Sequence, residues 1–321
     1  MSKAELVQHA ARIHSAIRSG EAASSALVAS WQRSASLHRL DPAERRAPQR
    51  LNAAELTAAR LRMEPMLRAA QASLDRLYFA VGGMGCCVLL ADRDGVPVER
   101  RGAAGDDETF EEWGLWPGSV WSEDSEGTNG IGTCLVEQRP LTIHRHQHFF
   151  TRNTLLSCTT APVYDHEGNL AGALDVSSCR ADLSEELANL VAVAVVDAAR
   201  RIEAEHFRLA FPGSRIVVAP MKEWSPNSLL AIDKDDVVVG ATRAARQAYR
   251  DRGLIGKPSP TDDEAQSDIR FGEGLRHAER AILERALIRS GGNVTAAARE
   301  LGVSRATLHR KLGKLGLERP N

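Results

Sequence analysis

The sequence predicts an α+β protein: an antiparallel sheet flanked by helices, then a small mixed α/β segment, then an all-α C-terminal end. Three observations carry this. Short apolar runs alternate with Asp- and Gly-containing turns between residues 86 and 176. Stretches of helical period lie on either side of them. From 291 to 315, two short amphipathic helices meet at a tight turn. Strands grouped between helices, rather than alternating with them one by one, point to an α+β sheet and away from repeated βαβ units.

Taken in order, residues 3–77 are rich in Ala, Leu and Arg, with apolar positions such as Leu67, Ala70, Leu74 and Leu77 at helical spacing. One interruption, Leu40 to Leu51, contains Pro42 and Pro48, so two or three helices are expected there, with no chemistry. Cys86 to Leu90 reads as a strand ending in the hairpin-like turn Asp92-Arg93-Asp94-Gly95. Thr159 to Tyr164 repeats the pattern, closes at Asp165-His166-Glu167-Gly168-Asn169, and returns through Leu170 to Val176. Ser184 is placed to cap a long helix reaching about Leu209. Three further strands are expected at Ile216 to Ala219, Ser228 to Asp233 and Val237 to Gly240, with a helix from Thr242 to Arg250. Pro258, Pro260 and the acidic run Asp262-Asp263-Glu264 mark residues 256–273 as a linker.

The C-terminal end carries the sharpest signal. Asn293 is a good N-cap, and Val294, Ala297, Ala298 and Leu301 form one apolar stripe. Gly302 stops that helix where the chain must turn, and Ser304 caps a second helix with Leu308, Leu312 and Leu315 on one side. The opposite face holds Ala306, His309, Arg310, Gly313 and Lys314, with Thr307 beside it. This is the pattern of a helix-turn-helix, whose second helix reads DNA from its N-terminal turns. Arg305 is therefore expected at a base edge, and Thr307, His309, Arg310, Lys311 and Lys314 at phosphates or flanking bases. From Arg276 to Arg319 there are ten Lys and Arg against four Glu, a net of +6, whereas the whole chain is at −1 and the remainder at −7. A basic end on an acidic body fits a DNA-binding module joined to something else, although a hairpin with merely solvated charges has the same composition.

Composition bounds the rest. The 321 residues leave room for about two domains plus extras. No apolar run approaches the ~20 residues of a membrane span, and Met1-Ser2-Lys3-Ala4-Glu5 is unlike a signal peptide. Cys86, Cys87, Cys134, Cys158 and Cys179 show no CxxC and no secreted-type spacing, so reduced thiols in a cytoplasmic protein are expected.

Several segments together resemble the sensor region of acetoin-catabolism-type transcriptional activators. They are Ser30-Trp31-Gln32-Arg33-Ser34, Glu126 through Thr133, His148-Phe149, Leu156 through Asp165, and Gly172 through Ser177. The resemblance implies an N-terminal helical region at 1–72, a GAF sensor domain at 73–210 and a PAS-like segment at 211–255. Leu229 through Asp233 and Gly240 through Arg246 carry the PAS-like likeness. After the 256–273 linker it implies a Fis-type helix-turn-helix at 274–321. Family members usually carry an ATPase before that last module, with a phosphate loop of the form GxxxxGK[ST]. Here Gly256-Lys257 is followed by Pro258, and Gly313-Lys314 lies inside the second helix of the motif, so ATP hydrolysis is not expected.

Three other residue clusters and one glycine-rich stretch bear on chemistry. Phe110, Trp113, Trp116 and Trp121 place four of fifteen aromatics within twelve residues. They are candidates for the walls of an effector pocket, or for packing of a loop onto the sheet. His144, His146 and His148 alternate, which on a strand would put three imidazoles on one face, with Cys158 as a fourth metal ligand; Arg145 among them argues against a cation. No metal, cofactor or catalytic constellation is expected. The Gly127–Thr133 stretch has the spacing GxxGxG and is expected to be a turn and helix. The vicinal pair Cys86-Cys87 is expected to send its side chains to opposite faces of a strand.

The function expected is that of a DNA-binding transcriptional regulator acting on a palindromic promoter site, with a small-molecule effector and RNA polymerase as further partners. A homodimer is expected through a stripe of Leu187, Leu190, Val191, Ala194 and Ala198 on the long helix. The competing expectation is an adaptor or scaffold whose sensor binds a metabolic enzyme or a full-length activator. An enzyme stands third.

Overall fold

The computed structural model describes residues 3–23, 25–180, 185–219, 227–249 and 254–257, and, toward the C-terminus, 283, 290, 294–300 and 308. Two compact units divide the chain. One comprises Met1–Val218 and Pro226–Lys257, the other Ala219–Ser225 and Pro258–Asn321.

The first unit begins with α1 (Lys3–Arg18) and α2 (Ala26–Gln32), the latter opened by Ser25, whose side chain accepts from the Val28 N–H. Residues Arg33–Leu37 continue α2 as a wider π turn. The reciprocal capping box of Asn52 and Glu55 starts α3 (Ala53–Arg62), and α4 (Glu64–Val81) follows with Pro65 in its first turn. Five antiparallel strands then build one sheet: β1 (Cys86–Asp92), β2 (Pro97–Arg101), β3 (Leu141–His144), β4 (Ser157–Tyr164) and β5 (Leu170–Ser178), in the order β2-β1-β5-β4-β3. Between β2 and β3 run α5 (Asp107–Glu112), α6 (Glu123–Glu126) and α7 (Gly130–Glu137). The 26-residue α8 (Glu185–Ala210) follows β5. A second sheet of β6 (Arg215–Val218), β7 (Leu229–Ile232) and β8 (Val238–Ala241) precedes α9 (Arg243–Ala248).

One device closes three of the hairpins. Asp92, Asp165 and Asp233 each accept two backbone N–H groups through Oδ1 at 2.8–3.0 Å, from the residues two and four positions on. A short carboxylate replaces the turn's missing backbone acceptors, which is why Asp opens each turn.

The five-stranded sheet has two faces. Cys86, Val88, Leu90, Val98, Ala161, Val163, Leu174 and Val176 point to one side and pack on α4 and α8 in the largest apolar core. Cys87, Leu89, Ala91, Cys158 and Ala173 point to the other, under Phe110, Leu115, Trp121, Ile131, Cys134, Leu135 and Leu156. The two vicinal cysteines thus belong to different cores, as the period-2 geometry of a strand requires.

The long helix corrects one expectation. Val191, Val195, Ala198, Ala199 and Ile202 of α8 lie in the first core with Ala194 packed against it, so most of the stripe assigned to a dimer contact is occupied within its own domain. Of that stripe Leu190 remains exposed, joined by Val193, which lies outside it. An apolar helical stripe cannot distinguish a covering sheet from a partner helix, and here the sheet takes it.

The second sheet belongs to the same compact unit as the first. The Arg243 guanidinium sits 3.6 Å from the centre of the Tyr164 ring, and His166 of the β4–β5 turn meets the Phe211 ring edge-on at 5.9 Å. Of the C-terminal unit, helix α10 (Val294–Glu300) is described, with Ala297 and Ala298 buried, as are Leu283 and Leu308. Arg305, Thr307, His309, Arg310, Lys311 and Lys314 lie outside the described residues, and so does most of the 256–273 linker.

Candidate functional site

The second face of the large sheet carries a connected chain of buried polar groups beside its apolar residues. On β4 and β5 the cross-strand pairs Thr160↔Asp175 and Cys158↔Ser177 are buried beneath the 104–138 loops and helices. Thr160 donates to Asp175 Oδ1, and the Ser177 hydroxyl donates to Asp175 Oδ2 at 2.6 Å. Ser177 Oγ also lies 3.0 Å from Cys158 Sγ. Burial pushes the Asp175 carboxyl up to about 6, against the opposing pull of its Ser177 and Thr160 hydrogen bonds.

Cys158 continues the chain of contacts to His148, whose Nε2 is 3.4 Å from Sγ. His148 is fully buried, and that burial drives its imidazole down to about 4, so the ring is neutral. Its Nδ1 faces the Arg145 carbonyl at 3.0 Å; a carbonyl only accepts, so Nδ1 carries the proton and the thiol donates to Nε2. The same burial raises the Cys158 thiol well above its ordinary range, the reverse of what a nucleophilic or redox-active cysteine needs. Cys87 and Cys134 are buried with pKa raised for the same reason, and Cys86 is pushed up to about 11.

The three alternating histidines do not share a face. β3 ends at His144, whose Nδ1 lies 2.9 Å from Ser157 Oγ; Arg145 then takes a left-handed conformation (φ 47°) and breaks the period. His146 instead lies near His9, ring centres 5.9 Å apart. Among the described residues no group of three His, Cys, Asp or Glu is arranged to hold a metal.

The Gly-rich stretch is a turn and a helix. Asn129 caps α7 by accepting from the Gly132 N–H at 2.8 Å. A Cβ at Gly130 would fall 2.6 Å from both Cys158 Cβ and Thr160 Oγ1, so glycine lets the helix start sit directly on the polar patch. The loop's other end reaches the N-terminal helices. Ser30 donates to Glu123 and lies 2.7 Å from Thr128 Oγ1; Arg33 pairs with Glu123 through Nε and with Glu137 through Nη2, both at 2.8 Å. The hydrogen bond to Glu123 is the largest factor raising the Arg33 pKa. Trp31 donates its indole N–H to the Gln147 carbonyl at 2.8 Å and packs with Ile13, Val28, Phe149 and Phe150. Residues 3–77 were expected to carry no chemistry, yet Ser30 and Arg33 complete the most extended buried polar network in the described unit.

A third network lies beside these two. Buried Glu126 is paired with Arg152, whose guanidinium stacks 4.3 Å from the Phe150 ring centre. Burial raises the Glu126 carboxyl, opposed chiefly by the charge of Arg152.

The aromatic cluster divides. Phe110 and Trp121 fill the core under the sheet, and the Trp121 N–H donates to the Gly114 carbonyl at 2.7 Å. Trp113 and Trp116 stay half-buried at the rim, Trp116 over the Arg100 guanidinium at 4.5 Å.

Two stretches of the chain match known protein families. Residues 65–202 match the GAF domain family, and residues 274–315 match the Fis family of bacterial regulatory proteins. Over 274 residues the chain is 32% identical to the acetoin catabolism regulatory protein of Cupriavidus necator, an alignment covering 82% of this chain and 41% of that protein. It is 29% identical over 175 residues to the acetoin dehydrogenase operon transcriptional activator AcoR of Bacillus subtilis, covering 54% of this chain and 29% of that one. The chain thus carries a GAF domain and a Fis-type helix-turn-helix, and its homologues include acetoin catabolism regulators. It spans less than half the length of these two relatives. Its fold is shared with the crystal structure of the E. coli DhaR(N)–DhaL complex, at TM-score 0.51 and 14% identity, over 73% of this chain and 79% of that one.

The GAF match runs from α4 into α8 and encloses the sheet, the Asp175 chain and the aromatic rim. Ser30 and Arg33 lie before it, so a network that includes Glu123 of the GAF domain is completed from outside the matched residues. Asp175, Thr160, Glu123, Glu126 and Arg152 were not singled out from sequence. The signal that existed was indirect: Ser30–Ser34, Glu126–Thr133 and Gly172–Ser177 carry the family resemblance, and these motifs meet in space.

Proposed function

We propose that the chain is a DNA-binding transcriptional regulator in which the GAF unit senses a small effector and the Fis-type helix-turn-helix binds promoter DNA as a homodimer in the cytoplasm. The observation that supports this most is the presence of a GAF match and a Fis-family match in one chain, separated by a short segment without a GxxxxGK[ST] phosphate loop. On this reading regulation passes through DNA affinity, dimer geometry or contact with RNA polymerase, without ATP hydrolysis. Among the described residues no helix is long and apolar enough to cross a membrane. Phe110, Trp113, Trp116 and Trp121 are the proposed wall of the effector site. Arg305 is assigned to a base edge, and Thr307, His309, Arg310, Lys311 and Lys314 to phosphates or flanking bases.

Gel-shift titration of the full chain on DNA from upstream of its own gene tests this. Arg305→Ala is expected to cost roughly 1–3 kcal/mol and to relax preference at one base pair. Lys314→Ala is expected to weaken operator and random DNA alike and to lower the slope of affinity against salt by about 1. Wild-type-like binding by both variants would remove the docking assignment.

One observation favours a second reading. One solved structure that shares the fold is a complex of DhaR(N) with DhaL, so the GAF unit of this chain is also a candidate to bind a protein. Co-purification of one stoichiometric partner, without a footprint on DNA, would favour that scaffold role.

A further inference from the structure

Arg100 of β2 stands directly across from Leu89 of β1 and so projects onto the second face of the sheet, under the aromatic loop. Its side chain is 9% exposed, and Nη1 is held by Asp107 of α5 at 2.6 Å. Its Nε and Nη2 are buried and have no hydrogen-bond partner. Those two nitrogens form the side edge of the guanidinium, the edge whose parallel N–H groups match the two oxygens of a carboxylate. The flat faces are already covered. Trp116 and Phe110 lie 4.5 and 5.3 Å from the guanidinium carbon, and a Cβ at Gly102 would fall 2.2 Å from Nη2. A buried charged donor left unpaired is costly, which leaves an edge built to accept something.

We propose that the Nε–Nη2 edge of Arg100 is the anchor of the effector site and that it takes the carboxylate of a small monocarboxylic acid whose apolar body rests against Trp113 and Trp116. This deepens the sensor reading above and depends on it. The rim selects against further charge. The segment that brings Asp107 to Arg100 also carries Asp106, Glu108, Glu111 and Glu112, of which Glu111 is paired with Arg50. A dicarboxylate or a phosphate would bring a second negative charge against the remainder, whereas a monocarboxylate spends its single charge on Arg100.

The test uses the full chain and the emission of its tryptophans, because Trp116 touches the anchor. Benzoate, phenylacetate and hexanoate are titrated, with benzamide and isophthalate as the uncharged and doubly charged controls. Saturable binding of at least one monocarboxylate is expected, with benzamide and isophthalate at least tenfold weaker. Arg100→Lys keeps the charge but loses the fork, and is expected to lose at least tenfold in affinity. Asp107→Asn leaves the fork in place and is expected to bind at least as tightly as wild type, which keeps the test open if Arg100→Lys fails to fold. The proposal is overturned if none of the three acids binds, if benzamide or isophthalate binds equally well, if Arg100→Lys binds like wild type, or if Asp107→Asn binds more weakly. DNA binding is measured separately by anisotropy without added acid. Retained DNA binding without carboxylate binding sinks the anchor alone; carboxylate binding without DNA binding sinks the regulator reading alone.

Discussion

The two faces of the five-stranded sheet are built from the same strands and do different work. Toward α4 and α8, strands β1, β2, β4 and β5 present Val, Leu, Ala or Cys to a continuous apolar core. Toward the 104–138 segment the same strands bury Thr160, Asp175, Ser177 and Arg100 beside Leu89 and Cys87. Burying apolar area is favourable without any directional requirement, whereas each buried polar group needs a partner in the right place. The helical face therefore sets stability, and the loop face sets which geometry the domain adopts.

The sharpest way to break that contrast uses two adjacent residues. Leu90 points to the helices and Leu89 to the loops, and both are fully buried. Leu90→Ala is expected to cost about 2–5 kcal/mol in urea unfolding, because two packed helices cannot collapse into the cavity. Leu89→Ala is expected near the low end of that range, since loops relax more easily; equal costs would erase the distinction.

The next effect is a pH dependence. Asp175 has a folded pKa of about 6, above its unfolded value, so its contribution to stability is fully present below about pH 4 and lost as pH rises through 6. His148, at about 4 in the folded state, acts oppositely: stability is lost as pH falls from about 6.5 toward 4. Asp175→Asn should remove the first slope and leave the second. Its melting temperature should therefore gain on wild type between pH 4 and 7, by the equivalent of up to about 3 kcal/mol. Parallel curves across that range would mean that Asp175 titrates in the folded protein near its unfolded value.

A smaller effect is expected at the junction with the N-terminal helices. Arg33→Ala leaves Glu123, 2% exposed in its side chain, without its main ionic partner. A loss of about 1–3 kcal/mol is expected, with residues 3–37 becoming the first site of limited proteolysis. Ser30→Ala should follow the same pattern at lower cost. Cleavage elsewhere first would show that these helices do not depend on the network.

Much of this architecture is legible in sequence because it is local. The Asp-opened hairpins, the apolar run of β1 and the start of α10 at Val294 follow from turn chemistry and period alone. What escaped is long-range or conformationally special. Ser30 and Arg33 meet Glu123 from 90 or more positions away, and no periodicity reports such a pair. The histidine alternation fails at one residue, Arg145, whose positive φ a spacing argument cannot see. The α8 stripe was legible as apolar but not as to what covers it. Within the aromatic cluster, the division into core (Phe110, Trp121) and rim (Trp113, Trp116) depends on where the 104–121 loop folds back over the sheet.

The placement of Cys86 and Cys87 has a practical consequence. They are neighbours in the chain, both are buried as free thiols, and each is embedded in a different core. Alkylation of either one under native conditions must wait for its own side of the domain to open, whereas half-buried Cys179 needs no such event. A time course of labelling, read by peptide mass, would thus turn two adjacent atoms of sulfur into separate clocks for the helix-covered and loop-covered halves. A small acid seated at Arg100 should slow the Cys87 clock and leave that of Cys86 running.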